Sequence, residues 1–178
     1  MEALKNNLLL KRALEHEILL CVQANRLCQY IILRKIFVFF SITGNGPFWY
    51  VLILAIPIIY GTQNTFVSLR MTVAGLTGLL IYKSIKHYTL RLRPYTRHSL
   101  INLGTPALDK YSFPSGHTLH AVSFTIIASH YIPGIAWILV PITGMIASSR
   151  VILGLHYPTD VFAGVVIGTS VATVIINV

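Results

Sequence analysis

Long apolar runs follow one another along most of the chain, and short breaks rich in proline and glycine separate them. The runs cover residues 47–61, 66–85, 118–132, 135–154 and 161–178. A membrane-spanning helix needs about 20 residues, within a range of about 17–25, so several of these runs must borrow flanking residues. The pattern predicts an all-α integral membrane protein with five to six transmembrane helices.

The N-terminal region has a different pattern, because residues 7–40 alternate apolar and charged side chains at helical spacing. This spacing predicts an amphipathic helix that lies at the membrane surface or against the bundle, or that forms the sixth span. Lys11, Arg12 and Glu15 interrupt any apolar core of a signal peptide, so we expect no cleavable leader. We therefore divide the chain into an interfacial region, 1–43, and a transmembrane domain, 44–178.

Composition supports a membrane protein of one domain. Of the 178 residues, 54% are hydrophobic and 11% are charged, whereas about a quarter of the residues in a soluble domain are charged. The net charge is +9, from 14 basic and five acidic residues. This excess fits contacts with anionic lipids or a site lined for phosphate. The basic residues adjoin apolar runs and form no separate patch, which argues against nucleic acid as a partner.

Three polar clusters stand out between the runs. If the runs cross the membrane alternately, residues 86–116 and 150–160 emerge on the same face. The first cluster contains Lys86 and Arg93, which lie seven positions apart and share a helix face if that segment is helical. Two cations without a neighbouring acid favour a bound anion, although snorkelling to the interface is the simpler interpretation.

The second cluster is Pro-Ser-Gly-His, residues 114–117, at the start of an apolar run. Ser115 is suited to cap the helix, and Gly116 allows its backbone to approach a ligand closely. Free N–H groups at such a helix start can bind an anion, which would place His117 beside it. Ordinary helix capping explains the same residues.

The third cluster runs from Ser149 to Asp160 and includes Arg150 and His156. We expect Pro158 to open the last helix, with Asp160 in its first turn and His156 on the connecting turn. Asp160 also fits a simple role in complementing the helix dipole. All three clusters together fit phosphate-ester chemistry, since cations and N–H donors bind the phosphate while two histidines and a carboxylate supply nucleophile, acid and orienting group.

The spacing of these clusters, K-x6-RP, PSGH and SR-x5-H-x3-D, resembles that of the type 2 phosphatidic acid phosphatases (PAP2), a superfamily that also contains vanadium haloperoxidases. The resemblance covers about residues 44–178 and implies a PAP2-type helical bundle. It implies that His156 is the nucleophile that forms a phosphohistidine, that Asp160 orients it and that His117 protonates the leaving oxygen. The implied phosphate-binding residues are Lys86, Arg93, Arg150, Ser115 and Gly116.

The resemblance also implies a hydrolase that needs no metal and no cofactor. Its partners would be the bilayer and a phosphorylated lipid, with phosphatidylglycerophosphate, phosphatidic acid, undecaprenyl diphosphate and a lipid A phosphate as candidates. The location implied is the bacterial inner membrane, with the site on the periplasmic face. Three alternatives stay open: a lipid phosphotransferase that uses the same phosphohistidine, a non-catalytic lipid binder or transporter, and a haloperoxidase-like enzyme.

Overall fold

The computed structural model describes residues 8–178, and it describes side chains from Arg12 onward apart from Ala13. The described chain is helical, with one isolated β-bridge between Leu92 and Tyr111. The α-helices are α1 Leu8–Asn25, α2 Ile31–Thr43, α3 Pro47–Ile59, α4 Thr65–Thr89, α5 Pro94–Arg97, α6 Gly116–Tyr131, α7 Ala136–Ile152 and α8 Pro158–Asn177. Short 3₁₀ turns occupy Arg26–Gln29, Thr62–Asn64 and Pro133–Ile135. The expected all-α fold is confirmed.

Fewer helices than expected have the length and hydropathy to cross a membrane. Three of the described helical segments do so, Thr62–Thr89, Pro133–Ile152 and Pro158–Asn177. A fourth span is possible only if α2 and α3 count as one, and these two are bent by 56° at their junction. The remaining apolar run forms α6, whose 16 residues fall short of the usual span length of about 17–25. By length and hydropathy the described helices therefore give three to four candidate spans, against the five to six predicted, so the predicted number is not exact.

Helix α6 lies at the centre of the bundle, packed against α4, α7 and α8. Its buried residues Phe124 and Ile127 belong to one apolar core that also contains Trp49 of α3 and Leu139 of α7. The contact between α6 and α8 is unusually close at Gly164, where an added Cβ would lie 2.7 Å from the carbonyl oxygen of Ser115. This approach brings the N-terminal ends of α6 and α8 together.

Helix α1 packs against α7 and α8 over its described part. Cys21, Glu17 and Asn25 are buried there. The side-chain amide of Asn25 donates to the carbonyl oxygens of Asn102 and Ile152, each at 2.9 Å. Of the placements expected for the amphipathic helix, the one against the bundle is therefore observed. Residues 1–7 of the predicted interfacial region lie outside the described residues, and the division at residue 43 stays a prediction.

Candidate active site

Lys86 and Arg93 converge on one site, although they do not share a helix. Helix α4 ends at Thr89, Leu90 adopts a left-handed conformation with φ 48°, and Arg93 is extended. The helix does not continue through Arg93, so the shared helix face that a helical segment would give does not form, because Leu90 turns the chain before Arg93. Both side chains are nevertheless buried, and their charged ends meet at a third residue.

That third residue is Asp109, which the sequence interpretation missed because nothing marks it within the loop between α5 and α6. Its two carboxylate oxygens accept from Nζ of Lys86 at 2.9 and 2.8 Å. Nη2 of Arg93 donates to the same carboxylate at 2.7 Å. Although burial opposes ionisation, the hydrogen bond and charge of Lys86, together with Arg93, hold the pKa of Asp109 below its ordinary value. One internal carboxylate thus pairs with both cations and offsets one of their two positive charges.

His156 lies on the turn between α7 and α8, where its amide N–H donates to the carbonyl of Arg150 at 3.0 Å. Nη1 of Arg93 approaches its Nε2 to 3.1 Å, and Oδ2 of Asp160 lies 3.5 Å from its Nδ1. Asp160 occupies the first turn of α8, behind Pro158, as predicted. Burial, together with the positive charges of Arg150 and Arg93, lowers the pKa of His156 well below its ordinary value. A neutral imidazole is therefore favoured.

Arg150 supplies a third buried cation behind His156, with only 2% of its surface exposed. Its Nη1 forms a short hydrogen bond with the hydroxyl of Ser41 on α2. Its Nε has no hydrogen-bond partner within residues 12–178. A buried guanidinium donor without a partner is costly, and an anionic oxygen at this position would satisfy it.

The PSGH segment begins α6 beside these groups. Ser115 caps the helix, because its hydroxyl oxygen accepts from the N–H of Thr118, so the capping interpretation is correct for this side chain. The ring of His117 is half-buried, and its Nε2 lies 2.5 Å from the side-chain oxygen of Asn45. Asn45 reaches this position from the α2–α3 junction, where Gly46 has φ 124°, a conformation that favours glycine.

One cavity of about 520 Å³ extends from several of the predicted residues to an apolar part of the bundle. Its polar end is lined by Lys86, Arg93, Gly116, His117 and His156. Its other end is an apolar cleft between α3 and α4, lined by residues that include Trp49, Ile53, Leu54, Leu76 and Leu79. Ser115, Arg150 and Asp160 are buried and are not among the residues that line the cavity.

Two further charged residues near the site were missed. Arg91, in the loop between α4 and α5, contacts Asp160 with its Nη1 at 2.6 Å. Glu17 of α1 contacts Nη2 of Arg91 at 2.7 Å. The concentration of three of the five acids in residues 1–17 was the only sequence signal for Glu17. Pattern alone does not show that this helix folds back onto α8.

Comparison with known protein families identifies this arrangement. The model of the PAP2 superfamily matches residues 66–178, which is more than half of the chain. The chain belongs to the PAP2 superfamily. The match includes all three clusters, so the expected family is confirmed and the protein is a membrane phosphatase of the PAP2 type. Helix α1 and the α2–α3 pair lie outside the matched residues.

Two curated PAP2 relatives are undecaprenyl-diphosphatases. The protein from Sulfolobus acidocaldarius is 27% identical over 81% of this chain and 69% of its own length. The protein BcrC from Bacillus subtilis is 34% identical over 65% of this chain and 60% of its own length. A decaprenylphosphoryl-5-phosphoribose phosphatase from Mycolicibacterium smegmatis is 36% identical, but the match covers only 45% of this chain and 42% of that protein.

Solved structures show the same PAP2 fold. The crystal structure of Aquifex aeolicus LpxE matches with a TM-score of 0.79 and 26% identity, covering 89% of this chain and 93% of that chain. The PAP2-type phosphatidylglycerolphosphate phosphatase from Bacillus subtilis matches with a TM-score of 0.74 and 22% identity, covering 99% of this chain and 88% of that chain. The second likeness shows the fold alone.

Proposed function

We propose that this protein removes a phosphate group from a membrane lipid through a phosphohistidine intermediate. One observation carries the proposal: a single cavity has His156, His117 and two cations at one end and an apolar cleft at the other. A phosphorylated lipid has the same division, with a charged headgroup joined to an apolar chain. The cavity can hold both parts at once, with the ester phosphorus beside the histidines.

In the proposed reaction, Nε2 of His156 attacks the phosphorus while the bond to the leaving oxygen breaks. His117 donates a proton to that oxygen, so the dephosphorylated lipid leaves neutral at this atom. Water then attacks the phosphohistidine, His117 takes up its proton, and inorganic phosphate departs. Both histidines return to their starting states. Asp160 holds Nδ1 of His156 and offsets the positive charge of the phosphorylated ring.

The non-bridging oxygens of the phosphate are charged before the reaction begins. The cations stabilise this charge and hold the oxygens in place during the transfer. Lys86 and Arg93 line the cavity. They can bind phosphate when its oxygens displace the Asp109 carboxylate from their N–H donors. Arg150 would offer its unpartnered Nε from behind. The backbone N–H at Gly116, at the start of α6, would add a neutral donor.

Of the four candidate lipids, the comparisons favour undecaprenyl diphosphate, which is a polyprenyl diphosphate. The two curated relatives with the widest coverage described above are named undecaprenyl-diphosphatases, and the Mycolicibacterium smegmatis relative is named for a decaprenyl lipid. A cleft between two helices suits one linear chain. Phosphatidylglycerophosphate, phosphatidic acid and a lipid A phosphate are the comparison substrates. A bacterial inner-membrane location with a periplasmic site rests on the family resemblance.

The test is phosphate release by the detergent-solubilised full chain from each of the four lipids, with and without EDTA. We expect undecaprenyl diphosphate to react fastest, EDTA to have no effect and His156→Ala to abolish release. His130→Ala is the matched control, because His130 is exposed at the far end of α6 from His117. Folded wild-type protein that releases no phosphate from any lipid would overturn hydrolysis. Activity that survives in His156→Ala would overturn the mechanism.

A further inference from the structure

We propose that Arg91 and Glu17 are positioning residues for the His156–Asp160 pair, so that helix α1 takes part in catalysis without touching the substrate. The inference rests on the proposed function, because it assigns these residues to the same reaction. Neither residue lines the cavity. Their contacts run instead to the back of the site, where Asp160 is completely buried.

Arg91 fixes the side of the Asp160 carboxylate that faces away from His156. Its Nη1 donates to Oδ1 of Asp160 at 2.6 Å and to the hydroxyl of Thr159 at 2.7 Å. The guanidinium lies over the ring of Tyr157, 4.0 Å from its centroid. Since Arg91 stacks on one residue of the Tyr157–Asp160 segment and donates to two others, it constrains the segment that carries the carboxylate.

The other carboxylate oxygen has a separate set of partners. Oδ2 of Asp160 accepts the backbone N–H of Tyr157 at 2.9 Å and is the oxygen nearest Nδ1 of His156. With Arg91 on Oδ1, rotation of the carboxylate would break bonds at both oxygens. Arg91 also places a positive charge against a carboxylate that is completely buried, which offsets part of the cost of burying it.

Glu17 completes the arrangement from α1. Its Oε2 accepts from Nη2 of Arg91 at 2.7 Å, and its Oε1 accepts from the backbone N–H of Thr159 at 3.0 Å. The same oxygen forms a short hydrogen bond with the Thr159 hydroxyl. Glu17 is only 7% exposed. One acidic side chain therefore binds both the arginine that holds Asp160 and the residue that precedes Asp160.

Substrate turnover and substrate binding should respond differently to loss of this arrangement. A displaced Asp160 would misorient His156 in the transition state, and a small misplacement can cost roughly 100-fold in rate. The phosphate-binding groups on the cavity surface would remain, so KM should change little. This split separates a positioning role from a role of Arg91 in binding the lipid headgroup, which would raise KM.

The experiment measures kcat and KM for farnesyl diphosphate, and the inhibition constant of vanadate, with the detergent-solubilised full chain. The variants are Arg91→Gln, Arg91→Lys, Glu17→Gln and the double variant Arg91→Gln/Glu17→Gln. Arg97→Gln is the matched control, because Arg97 follows in the same connection but is exposed and makes no side-chain hydrogen bond with the described residues. A size-exclusion elution volume and a melting temperature close to those of the wild type establish that each variant is folded.

We expect Arg91→Gln to lower kcat by roughly 10- to 100-fold, with KM and vanadate inhibition within about threefold of wild type. Arg91→Lys should recover part of the loss, because its ammonium reaches one carboxylate but cannot bridge two. Glu17→Gln should lower kcat less, and the double variant should lose less than the product of the single losses. Arg97→Gln should match wild type. If Arg91→Gln does not fold, the same kcat test on Glu17→Gln and Arg91→Lys decides.

A folded Arg91→Gln protein with kcat within about twofold of wild type would overturn the inference, as would a loss confined to KM. Both results leave the proposed function intact, because wild-type release and its loss in His156→Ala are measured in the same assay. An inactive wild type would overturn the proposed function, and the inference with it.

Discussion

Nε2 of His156 lies 3.1 Å from Nη1 of Arg93. A guanidinium group can only donate hydrogen bonds, so Nε2 must present its lone pair, and the neutral ring carries its proton on Nδ1. Oδ2 of Asp160 lies 3.5 Å from Nδ1, and Nδ1 forms no hydrogen bond with the described residues, so the two groups must move closer for Asp160 to accept this proton. The contact with Arg93 therefore favours the tautomer in which Nε2, the proposed nucleophile, carries the lone pair.

Asp160→Asn should remove this selection of the tautomer. An amide can donate to Nδ1, which would move the ring proton to Nε2 and occupy the attacking lone pair. A comparable substitution in serine proteases lowers kcat by about 10⁴, and we expect a loss of roughly 10³- to 10⁴-fold here. The measurement is kcat beside the vanadate inhibition constant, which should stay near wild type. A loss smaller than about tenfold would show that Asp160 does not set the tautomer.

The pH dependence of kcat/KM should reflect the buried state of His156. Its pKa lies well below the ordinary value because of burial and the charges of Arg150 and Arg93, and a histidine in water titrates at about 6.5. The nucleophile is active when neutral, so a lowered pKa extends activity to more acidic pH. We expect no loss of kcat/KM through protonation of His156 at pH values down to about 6. A histidine-dependent acidic limb centred at or above 6.5 would contradict this.

Ionisation of the substrate phosphate can also change kcat/KM in this pH range. The pH profile is therefore measured with two substrates, so that enzyme and substrate ionisations can be told apart. Profiles measured with a phosphate monoester and with a diphosphate would share any limb that belongs to the free enzyme. A limb that moves with the substrate belongs to the substrate.

Asp109→Asn should strengthen product inhibition by inorganic phosphate. The Asp109 carboxylate occupies donors on both Lys86 and Arg93, so it competes with an incoming anion. Its side chain is 42% exposed, so the effect of its charge is partly screened, and we expect the inhibition constant to fall by roughly two- to tenfold. Asp109→Glu should keep the competing charge and the wild-type constant. Weaker inhibition in Asp109→Asn would instead show that Asp109 holds the cations in place for phosphate.

Leu76→Trp should narrow the apolar cleft and discriminate between long and short substrates. Leu76 lines the cavity on α4, whereas Leu80, one turn later on the same helix, does not, and both side chains are largely exposed. The larger indole would reduce the space left for the lipid chain, so KM for undecaprenyl diphosphate should rise roughly tenfold in Leu76→Trp. KM for phenyl phosphate, which has no chain, should be unchanged. Leu80→Trp is the control, and an equal effect in both variants would place the chain elsewhere.

The sequence was sufficient for the helical class and for the three clusters, because their signals are local. Hydropathy marks apolar helices, and Pro158 and Asp160 mark the start of α8 by turn and capping chemistry. The number of candidate spans differs from the predicted number for a nonlocal reason. Helix α6 is apolar because α4, α7 and α8 surround it, and burial in a protein core and burial in lipid select the same residue types.

The contacts that complete the site are also nonlocal. Glu17 and Arg91 are separated by 74 positions, and Asn45 and His117 by 72. Each pair depends on how α1 or the α2–α3 junction packs against the bundle. The periodicity of apolar residues along the sequence does not predict this packing. Asp109 lies closer in sequence to its cations, but a single acid in an irregular loop has no pattern that identifies its partner.

The most direct test of the account is to trap the covalent intermediate. Folded protein mixed with undecaprenyl diphosphate radiolabelled in its terminal phosphate would be quenched within the first turnover and digested. We predict an acid-labile, alkali-stable phosphoryl group on the peptide that contains His156, which decays as inorganic phosphate appears and is absent from His156→Ala. Phosphate release at the full rate without labelled protein, or a label on another residue, would contradict His156 as the nucleophile.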